Sequence, residues 1–85
     1  MTIEELDNNV IIMHKQISTN VKYIRETRGI SQLQLALDIG LTGNAFIARA
    51  EKRTNNCHFN IEHLVKIADV LDVDVCEFFI HTSPR

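Results

Sequence analysis

Four residues near the middle of the chain have side chains that could bind the edges of DNA bases. The amide of Asn44 can pair with N6 and N7 of adenine, and the guanidinium of Arg49 can pair with O6 and N7 of guanine. Ala45 and Ala48 can contact the methyl group of thymine. A good bidentate pair discriminates between bases by about 1 to 3 kcal/mol. Under the alternative interpretation, Asn44 only caps a helix and Arg49 is a solvated surface charge.

These residues lie in the second of two short amphipathic helices that the sequence predicts around Gly40. Ser31, with Gln34 three residues later, has the pattern of a capping box and begins the first helix, residues 32–39. Gly40 ends that helix, and after a short turn the second helix covers about residues 44–52. Such a helix pair commonly presents its second helix to DNA.

The apolar residues of this helix pair predict which faces are buried. The expected core positions are Leu33, Leu35, Ala36 and Ile39 in the first helix, with Ile47 and Ala50 in the second. Phe46 is expected at the edge of the core. Thr42 or Gly43 is expected to cap the second helix.

The first 28 residues predict helix, because apolar side chains recur there at three- and four-residue steps. These side chains are Ile3, Leu6, Val10, Met13, Ile17, Val21 and Ile24. The polar residues 18–20 prefer caps, so we expect two helices that meet near Ser18, with one long helix as the alternative. Gly29 is expected to end this region in the left-handed conformation.

Residues 53–59 predict a polar loop, which a fourth helix follows. Asn60 is the expected N-cap of that helix. Its core stripe is expected to contain Ile61, Leu64, Val65, Ile67, Ala68 and Leu71. Asp72 stands where a glycine usually ends a helix, and Asp74 is expected to cap a short last helix. Residues 81–85 are expected to fray.

Length and composition predict one small all-α domain. The chain has 85 residues, of which 45% are hydrophobic, so it is too short for two independent cores. Its longest uncharged apolar run, residues 10–13, is far shorter than a membrane span, and its start does not resemble a signal peptide. We therefore expect a cytoplasmic protein, in which Cys57 and Cys76 are reduced thiols.

The charges are unevenly distributed along the chain. The formal net charge is −2, which by itself disfavours a polyanionic partner such as DNA. Residues 15–53, however, contain seven lysines and arginines against three acidic residues, a net charge of +4. The other acidic residues lie near the two ends of the chain. The molecule can therefore present a basic face although it is acidic in total.

A set of caps, core positions and charged residues resembles the Cro/CI-type (XRE-like) helix-turn-helix family. The matching residues are Ile24, Arg25, Arg28, Gly29, Ser31, Gln32, Leu35, Ala36, Ile39, Gly40, Ile47, Ala48, Arg49, Ala50, Glu51, Leu64, Ile67, Ala68, Leu71 and Val73. The resemblance covers residues 20–79. It implies a compact five-helix lambda-repressor-like DNA-binding domain, residues 19–80, with an extra N-terminal helical extension, residues 1–18.

Two spacings differ from the common family pattern. Between Gly40 and Ile47 the chain has one residue more than usual, so the turn at residues 42–44 is extended. The loop at residues 52–60 is about two residues longer than is usual in compact family members. The first difference shifts the assignment of base-contacting positions by up to one residue.

The resemblance implies roles for individual residues. Base contacts are expected from the exposed positions of the recognition helix, which are Asn44, Ala45, Ala48 and Arg49. Phosphate contacts are expected at helix starts and in the loop after the recognition helix, namely from Gln32, Thr42, Lys52, Arg53, Asn55 and Asn56, unless these are ordinary solvated residues. Arg25 and Glu51 are expected to form a structural ion pair between the first and third helices.

No motif of the chain predicts an enzyme. We find no nucleophile with its base, no phosphate-binding glycine loop and no paired-carboxylate site. Cys57, His58 and His63 are close in sequence and could bind a soft divalent metal, but they lack a fourth ligand at a recognised spacing. We therefore expect no metal and no cofactor.

Two surfaces are candidates for a dimer interface, since a module of this size contacts only a few base pairs. One is the C-terminal apolar cluster of Val75, Cys76, Phe78, Phe79 and Ile80. The other is the N-terminal apolar stripe of Ile3, Leu6, Val10, Met13 and Ile17. Under the alternative interpretation, the helix that carries this stripe folds back over its own domain.

The leading hypothesis is a homodimeric, sequence-specific transcriptional regulator that binds a palindromic operator in double-stranded DNA and blocks or contacts RNA polymerase. Its small size resembles restriction-modification controller proteins and phage Cro-like repressors. One alternative is an antitoxin that also binds a toxin. Another is a protein-interaction module that has lost DNA binding.

Overall fold

A single long helix, α1 (Ile3–Thr27), begins the structure, a computed structural model that describes residues 1–80. Three shorter α-helices follow, namely α2 (Gln32–Asp38), α3 (Ala45–Lys52) and α4 (Ile61–Leu71). Two short 3₁₀ segments cover Thr54–Asn56 and Val75–Phe79. Residues 1–80 contain no β-strand. The predicted frayed tail lies outside the described residues.

The expected break near Ser18 is absent, because the polar residues there bond to distant parts of the chain. The Ser18 hydroxyl donates to the carbonyl of Ala50 in α3 at 2.8 Å. The Asn20 amide donates to the carbonyls of Phe78 and Ile80, each at 2.9 Å. Both side chains are buried inside a continuous helix. Their polar groups therefore connect α1 to the rest of the fold instead of capping a helix end.

Most of the predicted helix ends are confirmed. Asn60 and His63 form a reciprocal capping box at the start of α4, and Asp74 caps the last segment. Gly29 and Gly40 have left-handed backbone conformations, with φ of +69° and +94°, and each follows a helix. These conformations favour glycine because it has no Cβ atom.

Three details of the helix ends differ from the prediction. The Ser31 hydroxyl accepts from the backbone of Gln34, but the Gln34 side chain donates to Asp38 instead of completing a capping box. The N-cap of α3 is Asn44, not Thr42 or Gly43, and its side chain makes no capping hydrogen bond. The expected fifth helix is a 3₁₀ segment, so the described residues contain four α-helices.

The core forms where all four α-helices and the last 3₁₀ segment meet. Its buried hydrophobic residues are Ile17, Val21, Ile24, Leu35, Ala36, Ile39, Ile47, Ala50, Phe59, Leu64, Ile67, Ala68, Leu71 and Phe78. Three residues expected in the core are exposed instead: Leu33 by 48%, Val65 by 54% and Ile61 by 68%. Leu33 lies about 200° around the helix axis from Leu35. Val65 follows the buried Leu64 and therefore lies next to the buried stripe of α4 and not within it. Ile61 is the first residue of α4, where the helix is exposed to solvent.

Candidate functional site

One face of α3 is exposed and carries positive charge. Ile47 and Ala50 point into the core, whereas Ala45, Arg49 and Lys52 are exposed and Ala48 is half-buried. The exposed residues recur at three- and four-residue steps, so they form one stripe along the helix. Asn44, directly before α3, is also exposed. The four residues predicted to contact bases therefore lie together at this surface.

Glu51, the acidic residue of α3, is turned away from that surface. Its carboxylate accepts from Arg25 through two contacts, Nε to Oε2 at 2.7 Å and Nη2 to Oε1 at 2.9 Å. The side chains are only 8% exposed for Arg25 and 2% for Glu51. Hydrogen bonding to Glu51 raises the pKa of the Arg25 guanidinium, and burial opposes that effect. The buried pair leaves Arg49 and Lys52 as the exposed charges of α3.

Gln32 joins the same group of polar side chains. Its amide Nε2 donates to Glu51 Oε1 at 3.0 Å, while Arg25 Nη1 donates to the carbonyl of Ile30 at 2.8 Å. Because Gln32 is the first residue of α2, this contact places the start of α2 beside the last turn of α3. The predicted phosphate-contacting residue thus also bonds to the ion pair that orients α3.

The loop after α3 has an unusual backbone conformation. Arg53, Asn55 and Asn56 all have positive φ, at 63°, 52° and 61°. The Arg53 guanidinium folds back over the loop, where Nη1 donates to the carbonyls of Asn56 at 3.0 Å and Cys57 at 2.8 Å. Arg53 is therefore half-buried and shapes the loop, whereas the two asparagines are exposed at its tip.

The remaining predicted phosphate-contacting residues are accessible. Thr42, in the turn before α3, and Lys52, at its end, are both exposed. Together with Asn55 and Asn56 they flank the exposed stripe of α3 at both of its ends. A polyanion lying along α3 would meet these side chains on either side, which is the arrangement that positions a DNA backbone.

Two histidines that are far apart along the chain are in contact, and no sequence pattern predicts this contact. The rings of His14 and His58 stack with their centroids 4.1 Å apart, which joins α1 to the loop after α3. Burial, followed by the nearby His58 and Arg53, lowers the pKa of His14. Cys57 and His63 do not join them in a metal-binding group, and residues 1–80 hold no such group of three or more ligands.

The two predicted dimer surfaces differ in how much of each is accessible. In the C-terminal cluster Phe78 is fully buried, so its side chain belongs to the core of the monomer. Phe79 and Ile80 are exposed, as is Cys76, and Val75 is half-buried. In the N-terminal stripe Ile3, Leu6, Val10 and Met13 are all exposed. The stripe is therefore not buried against its own domain, although Val10 and Met13 line one groove with Phe59 and Phe79.

Comparison with known protein families identifies a family model that covers most of the chain. The family model described as helix-turn-helix matches residues 21–78, which is well over half of the chain. No curated protein and no solved structure matches the chain. Among the described residues, none of the helices is both long and apolar enough to cross a membrane.

Proposed function

Because the chain belongs to the Cro/CI-type helix-turn-helix family of DNA-binding regulators, we propose that it binds a specific palindromic operator as a homodimer and regulates transcription there. The observation that carries this proposal is the exposed, positively charged stripe of α3. Its orientation is held by buried contacts from Glu51 to Arg25 and Gln32. A rigid helix with a free polar face is what sequence readout in the major groove requires.

Within this proposal, Arg49 and Asn44 read bases and the alanines contact thymine methyl groups. Ala45 and Ala48 leave room for α3 to approach the groove floor, since neither side chain extends beyond Cβ. Lys52, Thr42 and the loop asparagines bind the phosphates on either side. The operator-bound dimer blocks RNA polymerase or contacts it, as expected for a restriction-modification controller or a phage-type repressor.

A mobility-shift titration at two salt concentrations tests the proposal. The probe is the DNA upstream of the gene. A protein that contacts Z phosphates should lose affinity with a log-log slope of about −0.9Z. Arg49→Ala should reduce the preference for the specific sequence by about fivefold to 150-fold, the equivalent of about 1 to 3 kcal/mol.

Lys66→Ala is the matched control, because it removes one exposed positive charge from α4, where Lys66 pairs with Glu62. It should leave the sequence preference unchanged. If neither variant nor parent shows salt-dependent binding, the chain is a protein-interaction module instead of a DNA reader.

A further inference from the structure

The first half of α1 extends beyond the core of the domain and stays exposed. Every residue from 1 to 13 is exposed, and the first buried residue of α1 is Ile17. The molecule measures 40 × 25 × 21 Å, and the 25-residue helix accounts for about 37 Å of its longest dimension. An isolated helical segment of roughly four turns is only marginally stable in water. A partner that covers this segment would therefore stabilise it.

This exposed segment has the spacing of a helix-pairing surface. Ile3, Leu6, Val10 and Met13 follow one another at alternating steps of three and four residues, and Ile17 continues the pattern into the core. This is the spacing of the contact positions in a coiled coil. The exposed fractions, from 45% to 76%, leave a continuous apolar stripe in contact with solvent.

Part of the N-terminal stripe lines a groove that also contains Phe79, one residue of the C-terminal cluster. A cavity of about 370 Å³ is lined by Val10, Met13 and Ile17 of α1 on one side. Phe59, Leu64 and Phe79 are among the residues on the other side. A partner that fills this groove would therefore contact both the N-terminal stripe and Phe79 of the C-terminal cluster.

The distribution of charge along α1 favours a second copy of the chain, in antiparallel orientation, as the partner that fills this groove. The start of α1 carries Glu4, Glu5 and Asp7, and residues 1–13 contain no lysine or arginine. Near residue 14, a second pocket beside the groove is lined by the guanidinium-bearing Arg53 together with Asp7, His14 and His58 of the same chain. Antiparallel helices keep the two acidic starts apart and bring each of them towards Arg53 of the other copy. Parallel helices would place the two acidic starts together, which is unfavourable.

We propose that two copies of this chain dimerise by pairing the N-terminal halves of their α1 helices antiparallel across this groove. The pairing is isologous, so each copy contributes the same surface. This inference rests on the homodimer of the proposed function and specifies its interface. The α1 extension thereby holds two copies of α3 in one particle, which binding to two half-sites requires.

Sedimentation or light scattering of the full chain across a concentration series tests the interface. Leu6→Glu and Val10→Glu should each raise the dimer dissociation constant about tenfold or more, because each removes an apolar side chain from the seam and buries a charge. Both residues are exposed in the monomer, so its fold is unaffected. Ile12→Glu is the matched control, since Ile12 is equally apolar and 62% exposed but lies off the stripe.

Disulfide crosslinking tests the orientation in a chain whose Cys57 and Cys76 are replaced by serine. Val10→Cys should crosslink two copies, because residue 10 lies near the centre of an antiparallel pair. Ile3→Cys should not crosslink, because the two copies of residue 3 lie about 21 Å apart along such a pair. Efficient crosslinking at both positions indicates parallel helices and overturns the proposed orientation.

The outcomes separate this inference from the proposed function. A parent chain that stays monomeric at high concentration, yet binds DNA with salt dependence, overturns the α1 pairing and leaves DNA binding intact. A dimer that Leu6→Glu and Val10→Glu do not weaken overturns the interface. A dimer that these variants do weaken, but that binds no DNA, overturns the proposed function alone.

Discussion

Arg25 and Glu51 form a two-point ion pair, with contacts of 2.7 and 2.9 Å, that joins α1 to the recognition helix α3 inside the protein. Such a pair fixes the distance and the rotation of α3 relative to α1. Two parallel hydrogen bonds allow only one relative orientation of the planar guanidinium and carboxylate groups. Gln32 adds a third contact to the same carboxylate from α2. Three helices thus converge on one buried side chain.

Glu51→Ala should destabilise the fold by about 3 to 5 kcal/mol, because it leaves the Arg25 guanidinium buried and without its partner. Thermal or denaturant unfolding measures the loss. Glu62→Ala is the control, since Glu62 pairs with Lys66 at the surface and such pairs contribute about 0 to 1 kcal/mol. Equal stability of Glu51→Ala and the parent would contradict a structural role of the pair.

Asn20→Ala should destabilise the fold by about 1 to 3 kcal/mol, because it removes the donor to the buried carbonyl of Phe78 and to that of Ile80. Thr19→Ala changes the exposed neighbouring residue and should have little effect. Denaturant midpoints of both variants measure the difference. Equal midpoints for the two variants would contradict a stabilising role of the Asn20 hydrogen bonds, because alanine favours the helix at both positions.

The glycines on either side of the turn before α3 should respond differently to alanine. Gly40 has φ of +94°, so Gly40→Ala should cost about 1 to 2 kcal/mol through backbone strain alone, because no atom lies within 4 Å of the added Cβ. Gly43 has the same free space but no positive φ. Gly43→Ala should therefore be neutral or stabilising by up to about 1 kcal/mol. Calorimetric unfolding of both variants checks the contrast, and equal costs would contradict it.

Stability should fall as the pH decreases below about 6.5, because the pKa values of His14 and His63 are lowered in the folded state. Burial is the largest cause for both residues. For His63 there is also a local reason, since its Nδ1 accepts from the backbone of Asn60 and must be unprotonated to do so. Above pH 6.5 both states hold these imidazoles neutral. Between pH 6.5 and the lower pKa of the folded state, the unfolded chain binds more protons than the folded chain does. Lowering the pH through this range therefore favours unfolding.

Denaturant unfolding at pH 7.5 and pH 5.5 measures this dependence. His63→Gln retains a side chain that can complete the capping box and removes one titrating group. It should reduce the difference in stability between the two pH values, and His14→Gln should reduce it further. A difference unchanged in the double variant would assign the acid sensitivity to other groups.

Local hydrogen bonds explain which parts of the fold could be predicted from the sequence. The caps at Ser31, Asn60 and Asp74 each join residues two or three positions apart, so residue types at those positions suffice to identify them. The left-handed Gly29 and Asp72 likewise end helices through bonds within a few residues. The helix-turn-helix framework and the exposed residues of α3 follow from such signals together with apolar periodicity.

The continuity of α1 could not be predicted, because the partners of Ser18 and Asn20 lie 32 and 58 residues away along the chain. Residues that favour a helix end in isolation are held inside a helix by these tertiary bonds. The burial of Phe78 and the stacking of His14 on His58 have the same origin in contacts between distant segments.

The order of the helices, most of their ends and the exposed residues of α3 could thus be predicted from the amino-acid sequence, because those features depend on neighbours within one or two turns. Three features required the folded structure: α1 is continuous, Glu51 accepts hydrogen bonds from two other helices, and part of the N-terminal stripe lines a groove with Phe79. Each of these depends on which distant surfaces pack together, and that is set by the folded chain as a whole.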